Sequence, residues 1–263
     1  MKAPKSIFDI VDLLVGYFSS DKMKESDVHT VKSNINGRKF TIVENRSSRW
    51  QKRAERSVKA ALVDFLLSPK IISRSLQAIA SEVPFLNGKR WVDILRIDSH
   101  ELIAYEVKSE TDSLRRLNGQ IEDYLSTFDK TYLVFSITQR AGVERMRLGK
   151  RIGLIEHDEG FRKFKIISEP EKNLKIKKRN LVQFIWTDEL RKYLQDPSGD
   201  AQILRKKMIQ RHTIGEIKEL SIAALLQRYL YRYKFFMTDR GQRTHIADLD
   251  TLTAESHLGR VHG

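Results

Sequence analysis

The stretch WVDILRIDSHELIAYEVKSE, residues 91–110, decides how this chain folds. Apolar and charged residues alternate on either side of Ser99 and His100, the period-two pattern of two paired strands. Taking Ser99-His100 as a two-residue turn sets Asp98 against Glu101 and, counting outward, Asp93 against Glu106. Residues directly across such a pair have Cβ atoms about 4.5–5.5 Å apart on one face. Lys108, two residues beyond Glu106, shares that face. The hairpin is therefore expected to gather two acids and a lysine where a core prefers apolar side chains.

Two carboxylates so close repel each other and raise each other's pKa unless a cation lies between them. A hard divalent ion, Mg²⁺ or Mn²⁺, suits an all-oxygen donor set completed by water and a phosphate oxygen. Asp93 and Glu106 are candidate metal ligands, and Lys108 is placed to orient water or to stabilise charge developing on a phosphate. The chemistry indicated is phosphodiester hydrolysis. A surface hairpin with a cross-strand Glu and Lys gives the same E-x-K spacing, and Asp93 in register tips the balance toward a site.

Around the hairpin the pattern is α/β. In WQKRAERSVKAALVDFLL, from Trp50, the residues Ala54, Val58, Ala61, Leu62 and Phe65 recur at helical spacing, and Pro69 ends the run. Strands are expected at 81–85, 90–97 and 101–108. A helix follows at 113–128, with Leu114, Leu117, Ile121, Leu125 and Phe128 on one face. TYLVFSI, 131–137, is nearly all apolar and reads as a strand buried on both faces. A helix at 139–149, a strand at 151–157 and an edge strand at 161–167 complete an α-β-β-β-α-β core of mixed sheet flanked by helices. This core spans 49–168. Before it, residues 1–48 hold a helix in MKAPKSIFDIVDLLVGYF and a polar extension with one strand, RKFTIV. After it come a basic linker at 169–180, a helical region at 181–240 and a polar tail at 241–263, expected to be disordered. In the helical region Thr187 is the expected N-cap of one helix, and TIGE, 213–216, a capping box opening another.

Composition narrows the partners. Lys and Arg number 48 against 34 Asp and Glu, a formal charge of +14, which favours a polyanion such as nucleic acid over an anionic membrane surface. Cysteine is absent, which excludes disulfides and thiolate metal sites. No run approaches the roughly 20 apolar residues of a membrane span, and no cleavage signal follows the first helix. A cytoplasmic protein is expected.

Asp93, followed thirteen residues on by Glu106-Val107-Lys108, resembles the PD-(D/E)XK nuclease superfamily, of restriction-endonuclease-like fold. Trp91-Val92-Asp93 lacks that motif's proline. Gln120 and Tyr124, in NGQIEDYLSTF, resemble the Q-x3-Y element of its RecB-like branch, and the resemblance implies that they lie near the metal and the scissile phosphate. It implies further that a glutamate on the first helix assists the metal. Glu55 is the candidate, with Glu82 on the strand before Asp93 a weaker one, and an exposed Glu55 paired with Lys52 or Lys59 the alternative. The likeness covers 50 to about 160, and a similar segment, followed by an FIWTDEL-like helix, marks a group of uncharacterised bacterial proteins of that superfamily.

Arg46, Arg49, Lys52, Arg53, Arg56 and Lys59 form a basic track along the helix of Glu55, a candidate nucleic-acid surface or a solvated helix face. KIKKR at 175–179 and RKK at 205–207 are further basic groups. In QRYLYRYKFF, Arg228, Arg232 and Lys234 alternate with Tyr229, Tyr231, Tyr233, Phe235 and Phe236, a pattern of base stacking or, more commonly, of a core helix with snorkelling cations. The segment RKKMIQRHTIGEI gives a weak helix-turn-helix signal. The expected activity is a Mg-dependent nuclease acting on DNA rather than RNA, in phage defence, restriction or DNA repair. The rivals are a non-catalytic nucleic-acid-binding or assembly module that retains the fold, and a toxin restrained by a partner. A homodimer or partner protein would engage the N-terminal or C-terminal helical regions.

Overall fold

In a computed structural model the chain is described over residues 46–253, apart from 111, 159 and 161, with side chains from residue 53. The expected first helix, the RKFTIV strand and the side chains of Arg46, Arg49 and Lys52 lie outside these described residues. Helix α1 (Arg46–Leu66) leads into strands β1 (Leu76–Phe85), β2 (Arg90–Asp98) and β3 (Leu102–Lys108). Helix α2 (Leu117–Leu125) connects to β4 (Lys130–Ser136), and the short α3 (Arg140–Arg145) to β5 (Gly153–Asp158) and β6 (Lys163–Ser168). Then come α4 (Lys178–Leu181), α5 (Thr187–Leu194), α6 (Ala201–Arg211), α7 (Ile214–Asp239) and α8 (Asp248–Thr251).

Among the described residues the six strands form one mixed sheet in sequence order. β1–β2 and β2–β3 are antiparallel, β3–β4 and β4–β5 parallel, and β5–β6 antiparallel. Each parallel step needs a crossover, supplied by α2 and by the α3 segment. The expected α-β-β-β-α-β order is thus present, and TYLVFSI supplies the inner strand β4, buried from Thr131 to Ser136, with Ile137 exposed just past its end.

The sheet is covered on both faces. Val58, Leu62, Val63 and Leu66 of α1 pack with Ile79, Ile94, Ile103, Tyr105 and Val107 on one. On the other, Leu95, Ile97, Leu102 and Ala104 meet Leu181, Phe184, Leu225 and Tyr229. The helical region therefore shares a core with the sheet. Burying a side chain such as Leu62 or Leu225 stabilises the fold by about 1.5–3 kcal/mol, so these two layers dominate stability.

Several expectations are corrected. β1 starts at Leu76, five residues before the expected Ser81, because Ala78, Ile79 and Ala80 are buried on both faces and show no alternation to mark a strand. Helix α2 starts at Leu117 rather than Ser113, since Asp112 turns the chain by accepting the Ser109 backbone N–H and hydroxyl, both at 2.8 Å. Residues 169–177 are no free tether: Lys177 N donates to Ser126 O at 3.0 Å, and the Asn173 amide donates to the carbonyls of Leu125 and Phe128 at 2.7 Å. The cap of α5 is Trp186, one residue before Thr187, its N–H held by Glu189 Oε2 at 2.6 Å. The Thr213–Glu216 capping box forms as expected. The start of the tail is ordered: Asp64 accepts from Thr244 N at 2.9 Å and Oγ1 at 2.6 Å, while Leu249 and Leu252 are buried against the α1 face. Among the described residues no helix is long and apolar enough to cross a membrane.

Candidate functional site

The hairpin register is the one the turn dictates. Asp98 N donates to Glu101 O at 3.0 Å, and the ladder runs from Ile97↔Leu102 to Ile94↔Tyr105. At Asp93 the strands part. The Asp93 carboxylate itself takes the next β3 donor, Val107 N, at 2.7 Å, while β3 continues in parallel pairing with β4 through Glu106↔Leu133 and Lys108↔Phe135.

The parting has a local cause in β1 and β2. On β2, Leu95 and Ile97 face the helical region, yet Val92 joins them, so alternation breaks at Asp93. On β1, Ala78 and Ala80 are followed by Val83 and Phe85 on that same face, so it breaks at Glu82 as well. Glu82 holds a left-handed backbone, φ 51°, while pairing resumes on either side, Ser81 with Ile94 and Val83 with Val92. A non-glycine residue in that region costs of order 1–3 kcal/mol and clusters at functional sites. The result turns both acids toward α1.

There they meet Lys59. Its ammonium donates to Glu82 Oε1 at 2.5 Å and is ion-paired with Glu55 Oε1 at 2.5 Å and Asp93 Oδ1 at 2.7 Å, and its side chain is only 3% exposed. Burial alone would depress the Lys59 pKa, but the charges of Asp93, Glu82 and Glu55 outweigh it and hold the ammonium above its ordinary value. Burial raises the Glu55 carboxyl, with Lys59 opposing. One carboxylate oxygen from each of Glu55, Glu82 and Asp93 lies within 4.8 Å of the others. That all-oxygen donor set suits a hard divalent cation.

Glu106 and Lys108 form the second half. Lys108 Nζ donates to Glu106 Oε1 at 2.5 Å, and the buried Tyr124 hydroxyl donates to Glu106 Oε2 at 2.5 Å, with Trp91 O at 3.1 Å. Burial, reinforced by the Asp93 charge, pushes the Glu106 carboxyl up to about 7, against the pull of Lys108 and Tyr124. Gln120, half-buried one turn before Tyr124, lines a small cavity with Glu106, Tyr124 and Thr131.

The structure thus gathers Asp93, Glu106, Lys108, Gln120, Tyr124 and Glu55, with two corrections. The acids grouped with Asp93 are Glu55 and Glu82, not Glu106, because the irregularity at Asp93 turns its carboxylate toward α1. Lys59 is no nucleic-acid contact: it is buried inside the acid group. The signal for it was present, since Glu55, Lys59, Leu62 and Leu66 form one helical stripe whose two leucines are buried. Of the other basic residues, Arg53 is exposed, and Arg56 is tied to Asp250 Oδ1 at 2.6 Å and Ile246 O at 3.0 Å. In α7, Tyr229 and Phe236 are buried and Arg228 stacks over Trp186 at 4.0 Å, so that helix is mainly a core element, with Tyr231 and Phe235 exposed.

Fold and site together define a mixed α/β protein whose sheet opens at an acid–lysine centre. The chain belongs to the bacteriophage P4 protein cII family, whose model matches residues 48–253, a span that takes in the whole sheet, the helical region and the ordered start of the tail. Protein cII of Enterobacteria phage P4 is 27% identical over 186 residues, covering 66% of this chain and 67% of that protein. No solved structure matches.

Proposed function

We propose that this protein is a metal-dependent nuclease of restriction-endonuclease-like architecture that hydrolyses phosphodiester bonds, with DNA as the polymer. The observation that carries this is the convergence, at the point where β2 and β3 part, of Asp93, Glu106 and Lys108, with Tyr124 of α2 bonded to Glu106. The formal charge of +14 supports a polyanionic substrate.

Asp93, with Glu55 and Glu82, would hold a Mg²⁺ or Mn²⁺ ion, which when bound supplies charge neutralisation at the phosphate. Lys108 is placed to donate to a phosphate oxygen or to the attacking water. Glu106, with its pKa near 7, is suited to accept the proton that water releases, because a base works best with a pKa close to the operating pH. Tyr124 holds Glu106 in place from below, and Gln120 borders the same cavity. One observation favours the second reading, a non-catalytic nucleic-acid-binding module: Lys59 satisfies the three acids without any ion.

The test uses purified full-length protein with plasmid, single-stranded and branched DNA, and RNA, with and without Mg²⁺. Cleavage that needs the metal and is lost in Asp93→Ala and Lys108→Ala supports the nuclease. Equal activity in wild type and variants refutes it, and salt-dependent binding without cleavage selects the second reading.

A further inference from the structure

The Lys59 ammonium is ion-paired with all three carboxylates of the acid group. It lies 2.5, 2.5 and 2.7 Å from Glu55 Oε1, Glu82 Oε1 and Asp93 Oδ1, and donates a hydrogen bond to Glu82. Three oxygens on a single point charge form the same arrangement that would face a small hard cation. The three acids come from α1, β1 and β2, and Glu82 reaches the group from a left-handed backbone. The convergence therefore holds strain that the lysine helps to offset. Lys59 itself arrives on the buried stripe of α1, one turn beyond Glu55, so its position is set by helix packing rather than by a mobile loop.

We propose that Lys59 is the resident counter-ion of this centre: it holds the three carboxylates together in the metal-free protein, and a divalent cation binds by displacing it. This rests on the metal-dependent reading above. The charge arithmetic supports competition rather than coexistence. Three carboxylates and one ammonium leave a net charge of −2, and an ion entering the group must either share those oxygens with a positive charge or evict it. At separations of about 4 Å, two such charges repel strongly wherever water is excluded. Lys108 does not compete in this way, because its charge is already matched by Glu106 at 2.5 Å. The centre thus holds two lysines in different roles. Lys108 is a candidate catalytic group, and Lys59 is a positioning residue that sets how tightly metal binds.

The experiment titrates full-length wild type and Lys59→Met with Mn²⁺, following free Mn²⁺ by electron paramagnetic resonance, with circular dichroism to confirm folding. Methionine keeps the length of the stem and removes the charge. The expected result is Mn²⁺ bound at least tenfold more tightly by Lys59→Met than by wild type. A folded variant that binds no more tightly overturns the proposal while wild-type binding leaves the metal-dependent reading standing. Absence of binding in both proteins overturns both. Because Lys59→Met risks misfolding, a second measurement uses the wild type alone: Lys59 labelling by an amine-reactive reagent, read by mass spectrometry. Saturating Mn²⁺ is expected to raise Lys59 labelling several-fold as the side chain is released, and unchanged labelling with Mn²⁺ bound overturns the displacement.

Discussion

Replacing Tyr124 by Phe removes one oxygen from a buried position and leaves the ring among Phe85 and Phe128, at centroid distances of 5.1 and 5.7 Å. The change therefore reports on the hydroxyl, which donates to Glu106 Oε2 at 2.5 Å. A buried hydrogen bond to an ionised acceptor contributes about 1.5–3 kcal/mol, and one between neutral groups about 1 kcal/mol. Which applies is a question of pH. Burial, with Asp93 adding, pushes Glu106 from its ordinary 4.5 up to about 7. Between those values the folded protein keeps a proton that the unfolded chain has lost, so stability falls as pH rises through the window, by about 3 kcal/mol in all. The Tyr124 hydroxyl favours the ionised carboxylate, so its removal raises Glu106 further, and the loss grows with pH. Urea denaturation followed by circular dichroism is expected to give a loss of about 1 kcal/mol at pH 5.5 and about 2–3 kcal/mol at pH 8.5. An equal loss at both pH values would refute the assignment of Glu106 as the buried acceptor.

Arg96→Ala leaves Asp98 buried without the guanidinium that now holds it through bonds of 2.7 and 2.8 Å, and the expected destabilisation in urea is about 3–5 kcal/mol. Gly153→Ala, at the start of β5, drives a Cβ into the Tyr132 ring of β4, and overpacking of this kind costs about 1–3 kcal/mol, read as a lowered urea midpoint. Asp64→Ala removes the acceptor of Thr244 and Arg240, so limited proteolysis is expected to cut between 240 and 253 while the remainder resists.

The hairpin was legible because its information is local. A two-residue turn and strict alternation leave one register, and the ladder from Ile97↔Leu102 to Ile94↔Tyr105 follows it. Gln120 and Tyr124, one helical turn apart, likewise needed only helical geometry to share a face. Other features were not local. The five residues from Leu76 to Ala80 show no alternation because both sheet faces are covered there. Residues 240–253 look polar and aperiodic, and their order comes from Asp64, some 180 positions away in sequence.

By itself, the sequence determined the α/β class, the strand order around the hairpin, and the placing of Lys108 beside Glu106, because helix and strand periods and turn length are set by neighbours along the chain. Only the tertiary structure decided where Asp93 points. Its side chain leaves the Glu106 face because β1 and β2 break alternation together at Glu82 and Asp93, and that break depends on the pairing of two strands and on a left-handed Glu82. Lys59 followed from the same cause: a helix packed over the break delivers the buried Lys59 ammonium to the three acids gathered beneath it.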